Sequence, residues 1–235
     1  MTSRPLPEAL EEAFLQCRDM EASLGERLDS LAQAVRTLSP PFGDAVDRLV
    51  TRLQQNGAGQ NAPQVGEPMP PFHLPDEAGR VISLDGLLSK GPVAVTFHRG
   101  HWCPYCRLNS RALAQAQAEI ERNGGQVVAI MPDRQQFAES FKTESQARFP
   151  ILTDLDNGYA LQLNLVIWVG SEMERMIASA GRDIPNYQGN ASWMLPIPAT
   201  FVVGTDARIK ARFVDPDYRK RMAVESLLTA LRSAR

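Results

Sequence analysis

Val93-Ala94-Val95-Thr96-Phe97-His98-Arg99-Gly100-His101-Trp102-Cys103-Pro104-Tyr105-Cys106-Arg107 is the stretch that decides how this chain is read. Val93 to Phe97 is a continuous beta-prone run, the pattern of a strand covered on both faces. A short turn follows and delivers two cysteines, three apart, to the start of a helix. Pro104 suits the first helical turn, where its missing N–H is not needed. The unpaired amides and dipole of a helix N-terminus favour negative charge, so Cys103 should ionise more readily than a free thiol. Cys106 lies one turn along on the same face, within reach of the first sulfur and expected to be the less exposed of the two. The spacing therefore predicts attack by Cys103 and resolution by Cys106, which is thiol redox chemistry.

The flanking residues bear on that chemistry. Arg99 or Arg107 can stabilise a thiolate or orient an oxygen-bearing substrate. Strand alternation sets His98 opposite Arg99 unless the strand has already ended. His98, His101, Cys103 and Cys106 nominally offer four metal ligands, but structural zinc sites more often join two separated ligand pairs. There is no second cysteine pair, and His73 stands alone. No metal or other cofactor is expected.

The bulk properties agree. A chain of 235 residues can build a core without disulfide staples, so the close pair reads as chemistry rather than architecture. Lys plus Arg number 25 against 27 Asp plus Glu, a formal charge of -2, which calls for neither nucleic acid nor an acidic membrane as partner. The N-terminus lacks the long apolar run of a secretory signal, and no stretch approaches the roughly 18 apolar residues of a membrane span. The expected compartment is cytoplasmic, where a dithiol is kept reduced and forms a transient disulfide.

Upstream, Leu10, Phe14, Cys17, Leu24, Leu28, Leu31, Val35 and Leu38 recur at helical spacing, with Glu21 breaking the row and Pro40-Pro41 stopping it. Phe42, Val46, Leu49 and Leu53 mark a second amphipathic helix that can pair with the first as a hairpin. The main domain or a second subunit must cover this stripe, so the extension is a candidate dimerisation element of a homodimer. Cys17, between leucines, reads as a small buried hydrophobe or as a third thiol that exchanges with the pair. A Gly/Asn/Pro-rich connector from Asn56 to Pro71 sets the boundary, giving a helical extension at 1–62 and a catalytic domain at 63–235.

Within 63–235, strand-like runs alternate with helical ones. Val81–Leu84, Val93–Phe97, Gln126–Met131, Phe149–Leu152, Thr200–Val203 and Ile209–Val214 read as extended. Arg107–Asn123, Asp133–Thr143, Asp154–Leu163 and Tyr218–Leu231 read as helices. Gly204-Thr205-Asp206-Ala207 supplies a hairpin turn. The pattern predicts an α/β fold. Leu165–Pro198, with Trp168, Met173, Met176, Trp193 and Met194, reads as an interface, a pocket wall or an irregular insertion.

Val65-Gly66-Glu67-Pro68-Met69-Pro70-Pro71-Phe72, Phe97 through Cys106, and Pro198-Ala199-Thr200-Phe201-Val202-Val203 together resemble the peroxiredoxin-like proteins of the alkyl hydroperoxide reductase/thiol-specific antioxidant group, within the thioredoxin-fold superfamily. The resemblance implies a thioredoxin-like fold, a central mixed sheet flanked by helices, with the N-terminal helical extension added. It implies that Cys103 attacks hydrogen peroxide or an organic hydroperoxide, becomes a sulfenic acid, and is resolved by Cys106. A thioredoxin- or glutathione-type donor would restore the dithiol. The family pattern has a proline seven residues before the attacking cysteine and a threonine or serine three before it; here Thr96 and Gly100 stand there. The family's arginine two residues before the Thr-Phe pair is replaced by Pro198, and Arg99 is the candidate substitute cation.

Other residues resemble thioredoxin and glutaredoxin. These are Trp102 before the first cysteine, the Cys103-Pro104-Tyr105-Cys106 string, and Ile197-Pro198 as a cis-proline facing the dithiol. They support the alternative of a thiol–disulfide oxidoreductase acting on protein or low-molecular-weight disulfides. A redox-sensing or interaction protein on the same scaffold is the third reading. The candidate catalytic residues are Cys103 and Cys106, supported by Arg99, Trp102, Pro198, Thr96 and His101.

Overall fold

The computed structural model describes residues 5–234. Three helices come first: α1 (Leu6–Arg18), α2 (Leu24–Leu38) and α3 (Pro40–Gln55). The long N-terminal stripe is thus two helices rather than one. The break is built by a capping box, in which Ser23 Oγ accepts the Glu26 N–H at 3.3 Å and the Glu26 carboxylate accepts the Ser23 N–H at 2.9 Å. Pro40 does more than stop α2, because it occupies the first turn of α3, where a proline is tolerated.

The rest follows as β1 (His73–Pro75), β2 (Val81–Ser83), α4 (Leu84–Leu88), β3 (Val93–Phe97), α5 (Pro104–Arg122), β4 (Gln126–Met131), α6 (Gln135–Ser145) and β5 (Ile151–Thr153). A 3-10 turn (Leu155–Asn157) and α7 (Gly158–Gln162) lead to β6 (Val166–Trp168), α8 (Ser171–Ser179), α9 (Ile184–Gln188) and β7 (Met194–Pro196). The chain closes with β8 (Ala199–Val203), β9 (Ile209–Val214) and α10 (Val224–Ser233).

The central sheet has the order β5-β4-β3-β8-β9. β3 pairs in parallel with β4 and β4 with β5, while β8 runs antiparallel to both β3 and β9. This is the mixed sheet flanked by helices of a thioredoxin-like fold. β3 lies at its centre with all five residues buried. Alternation along the strands feeds two apolar clusters. Val93, Val95, Phe97, Val128, Ile130 and Phe201 enter one, and Ala94, Val127, Ala129, Met131 and Val202 enter the other.

The second cluster also holds Phe14, Leu28, Leu31 and Leu49. The stripe of the extension is therefore covered within the chain: α1 and α2 pack on α5, and α3 packs on α8. α8 and α9 are carried between the two strands of the β6–β7 hairpin, so the segment that resisted sequence reading is a folded insertion.

Three sequence expectations are corrected. The last helix starts at Val224, not Tyr218, because side chains in the preceding loop bond the backbone instead: Asp215 accepts the Asp217 N–H and Asp217 accepts the Arg219 N–H. The single helix read over Asp154–Leu163 is interrupted, with Asp156 and Asn157 at φ 56° and 58°, a region these side chains tolerate. Every peptide bond among the described residues is trans, including that to Pro198. The chain passes in extended form from β7 into β8, and the Ile197 N–H bonds the Leu165 carbonyl, so the Ile197–Pro198 step makes no tight turn.

Gly91 fixes where β3 begins. It sits at φ 142°, and a Cβ there would lie 2.3 Å from the Gly124 carbonyl oxygen. Gly91→Ala is expected to lower stability by about 1–3 kcal/mol, read as a lower urea midpoint at unchanged slope. An unmoved midpoint would refute this account of the turn.

Candidate active site

β3 ends at Phe97, so His98 through Trp102 form the turn that hands the chain to α5. His98 and Arg99 still diverge, as strand alternation predicts. The His98 ring packs edge-on against Phe141 at 5.3 Å, with Nε2 lying 3.1 Å from Thr96 Oγ1 and 3.4 Å from Asn109 Nδ2. Arg99 turns the other way, its guanidinium 3.8 Å from the Tyr218 ring centre and 4.9 Å from that of Trp102.

Cys103 is the N-cap of α5, and its carbonyl accepts the N–H groups of Cys106 and Arg107. Its side chain caps nothing and remains available for chemistry. The Arg99 backbone N–H lies 3.3 Å from Cys106 Sγ, and an Arg221 guanidinium nitrogen lies 3.2 Å from the same sulfur. Cys103 and Cys106 are both free thiols in hydrogen-bond contact. Cys106, at 0% exposed, is less exposed than Cys103 as expected, but Cys103 is itself buried at 1%. Helices packed above α5 cover both.

The electrostatics separate the two sulfurs. Burial pushes Cys103 up, but the Cys106 hydrogen bond and the charges of Arg99 and Arg221 outweigh it and bring the thiol down to about 6. Burial pushes Cys106 up, and the neighbouring Cys103 charge adds to it, to about 12. The Arg221 and Arg99 donors point at Cys106, yet the pair shares one proton. Burial and charge favour the proton on Cys106 and the lowered pKa on Cys103.

Asp133 follows β4 and is fully buried. Burial raises its carboxyl to about 7, against a hydrogen bond from the His101 N–H at 2.7 Å and with repulsion from Cys106. Asp133 also explains Gly100. That residue has φ 141°, and a Cβ there would lie 2.5 Å from Trp102 Nε1 and 2.6 Å from Asp133 Oδ1. A threonine has no room in this turn, because a carboxylate and an indole occupy the space.

The other candidates fall in different places. Trp102 is buried beside Arg99 and lines the cavity over Cys103. Thr96 supports His98 from within β3. The His101 ring pairs with Glu144 at 2.9 Å and packs near Phe141 and Tyr187. Arg107 is engaged by Glu11 at 2.9 Å and Glu144 at 3.2 Å, acting as a strut between helices. Pro198 does not line the cavity. Cys17 is buried in the core, and burial pushes its thiol up, which suits a packing role. No cluster of three or more His, Cys, Asp or Glu suited to a metal ion forms among the described residues. No helix among them is long and apolar enough to cross a membrane.

Sequence reading missed Asp133, Tyr218 and Arg221. Asp133 had a usable signal: it stands at the carboxyl end of a strand parallel to β3, the edge where open α/β sheets place their sites. Tyr218 and Arg221 were hidden inside an apparent helix.

A family model described as "AhpC/TSA family" matches residues 65–212. The chain is 27% identical to the 1-Cys peroxiredoxin PER1 of Triticum aestivum, over 71% of this chain and 73% of that protein. It is 28% identical to a putative peroxiredoxin bcp of Coxiella burnetii, over 44% of this chain and 68% of that one. Among solved structures, peroxidoxin BcpB from Mycobacterium tuberculosis superposes with a TM-score of 0.57 at 21% identity, covering 74% of this chain and 99% of that one. A peroxiredoxin 6 of Arenicola marina gives 0.55 at 18% identity, covering 72% and 71%. These likenesses support the fold.

Two outcomes check the electrostatics. Thiolate absorbance at 240 nm should titrate with a midpoint near 6 and vanish in Cys103→Ser. Arg99→Met or Arg221→Met should each move that midpoint up by about one pH unit; unchanged midpoints would remove the arginines from the account. Asp133 holds its proton between the usual 3.8 and about 7, where an unfolded carboxyl has lost it, so its contribution to stability falls as pH rises through that window. Asp133→Asn should therefore raise the melting temperature relative to wild type at pH 8 more than at pH 4. The reverse order would contradict the assignment.

Proposed function

We propose, from the premise that this chain belongs to the AhpC/TSA family and is an oxidoreductase of the peroxiredoxin type, that it is a thiol peroxidase whose attacking group is Cys103 and whose resolving group is Cys106. The observation that carries the reading is a free thiol at the N-cap of α5 in hydrogen-bond contact with a second free thiol one turn along, with burial and charge drawing the first down and the second up. The Cys103 thiolate bonds to the outer oxygen of a hydroperoxide and the O–O bond breaks. The inner oxygen leaves with the electron pair and takes up a proton. Arg99 borders the cavity over Cys103, and one of its guanidinium nitrogens is buried without a partner; in this reading it donates to the charge that develops on that oxygen.

Cys103 is then a sulfenic acid. The Cys106 sulfur attacks it, a disulfide forms, and hydroxide leaves with the Cys106 proton as water. Asp133 lies close enough to Cys106 for an ionised Cys106 to raise it, and a carboxyl raised by burial to about 7 suits passage of that proton near neutrality. A thioredoxin- or glutathione-type thiol would return two electrons. The wheat relative is named a one-cysteine enzyme; in this chain the resolving thiol stands three residues from the attacking one.

The second reading is thiol–disulfide exchange on protein or small disulfides. Two free thiols in hydrogen-bond contact at a helix N-terminus favour it, because such a pair is also a good exchange couple. The trans Pro198 and the cover over both sulfurs weigh against docking of an extended peptide.

Stopped-flow mixing of reduced protein with hydroperoxide, followed by tryptophan fluorescence, should show stoichiometric oxidation faster than a small thiolate of the same pKa. Cys103→Ser should abolish it. Cys106→Ser should stop at a sulfenic acid trapped by a carbon nucleophile. A rate no better than the small thiolate, beside rapid disulfide exchange, would favour the second reading.

A further inference from the structure

The donors around the cysteine pair converge on the resolving sulfur. Cys106 Sγ receives the Arg99 backbone N–H at 3.3 Å and an Arg221 guanidinium nitrogen at 3.2 Å. Arg221 is braced from behind, because its other terminal nitrogen donates to the carbonyls of Tyr218 and Lys220, each at 2.6 Å. It stands in the loop before α10, outside the residues that match the family model. His98 is the third group, fully buried and unused in the steps described so far. Asn109 Nδ2 can only donate, so His98 Nε2 accepts and the ring proton sits on Nδ1. Nδ1 is buried with no partner. Asn109 follows Cys106 by one turn on the same face of α5, so the ring that meets one meets the surroundings of the other. His98 accordingly favours the ionised form of the Cys106 thiol. A buried donor left unpaired is costly, and that cost is relieved if another state of the site supplies the acceptor.

We propose that Arg221, the Arg99 N–H and His98 form a donor cage for a Cys106 thiolate that forms once Cys103 has been oxidised, and that the two side chains are catalytic residues of the resolving step. The inference rests on the peroxidase reading. Before oxidation, the hydrogen bond and charge of Cys103 help to hold the proton on Cys106. A sulfenic acid is neutral, so oxidation removes that charge and leaves the donors in place. Cys106 gives its proton to Asp133, and the thiolate accepts from the cage. Its electron pair forms the S–S bond as the Cys103 S–O bond breaks. Hydroxide leaves with the S–O pair and takes the proton as water. Lowering a thiol pKa that starts above ambient pH gains more in thiolate fraction than it loses in nucleophilicity. Oxidation of the first sulfur thereby activates the second.

The test follows the reduced full chain through one turnover with hydrogen peroxide at pH 8.5. Samples are quenched in a carbon nucleophile that adds to sulfenic acid and are read by intact mass. The first rate is formation of the sulfenic acid, and the second is its conversion to disulfide. At this pH Cys103 stays ionised even when a lost arginine moves its midpoint up by about one unit. Arg221→Met should lower the ratio of the second rate to the first at least about tenfold, and Arg221→Lys should recover part of it. His98→Phe removes the ring N–H and should lower the ratio about tenfold. His98→Asn places an amide N–H near Nδ1 and should recover part of that loss. A general loss of fold lowers both rates and spares the ratio. A ratio that Arg221→Met leaves unmoved would overturn the cage and leave the peroxidase reading standing. A ratio that only His98→Phe leaves unmoved would take His98 out of it. Absence of any sulfenic acid at Cys103 in the Cys106→Ser protein would overturn the reading beneath it.

Discussion

Lowering the pKa of a Cys103 thiol that has almost no exposure to water is the condition the surrounding residues have to meet. An isolated buried thiolate would protonate. Here the α5 N-terminus, the Cys106 proton and two guanidinium groups supply what water would otherwise supply. Each comes from a different part of the chain: Arg99 from the turn after β3, Cys106 from the first turn of α5, and Arg221 from the loop before α10. The central position of β3 matters for the same reason. Neighbours on both sides fix where the strand ends, and that end sets where Arg99 and Cys103 begin. The full burial of β3 thus becomes precision in the placement of a sulfur.

The same turn shows how a residue position can be emptied for a neighbour. Gly100 has its unusual backbone because the indole of Trp102 and the carboxylate of Asp133 fill the space a side chain would need. A hydroxyl at position 100 and the buried Asp133 carboxyl compete for one volume beside the two cysteines, and this chain holds the carboxyl. The departure from the family pattern is thus a change in which polar group approaches the thiols.

Much of the fold was legible in local pattern. Val93–Phe97, the cysteine pair, the helix behind it and the Gln126–Met131 strand follow from periodicity and from glycine and proline placement. What was not legible depends on contacts between distant parts of the chain. Tyr218 and Arg221 lie in a stretch with helical spacing, but Asp215 and Asp217 divert its backbone bonds. Ile197-Pro198 matches a cis-proline signature, yet pairing of β6 with β7 carries that chain straight. The N-terminal stripe announced an apolar face without saying what it would cover. The insertion 165–198 carried apolar residues in no clear period, because a short hairpin with two helices inside it has none to show.

The helical cover over the cysteines has a consequence for the order in which this protein is made. Arg107 and Glu11 are 96 residues apart, and Arg48 and Glu172 are 124 apart. Helices α1–α3 leave the ribosome before α5 and α8, at roughly 5–20 residues per second. For several seconds Phe14, Leu28, Leu31 and Leu49 therefore have neither α5 nor α8 to pack against. The apolar stripe of the extension therefore stays uncovered until the insertion has been synthesised and docked.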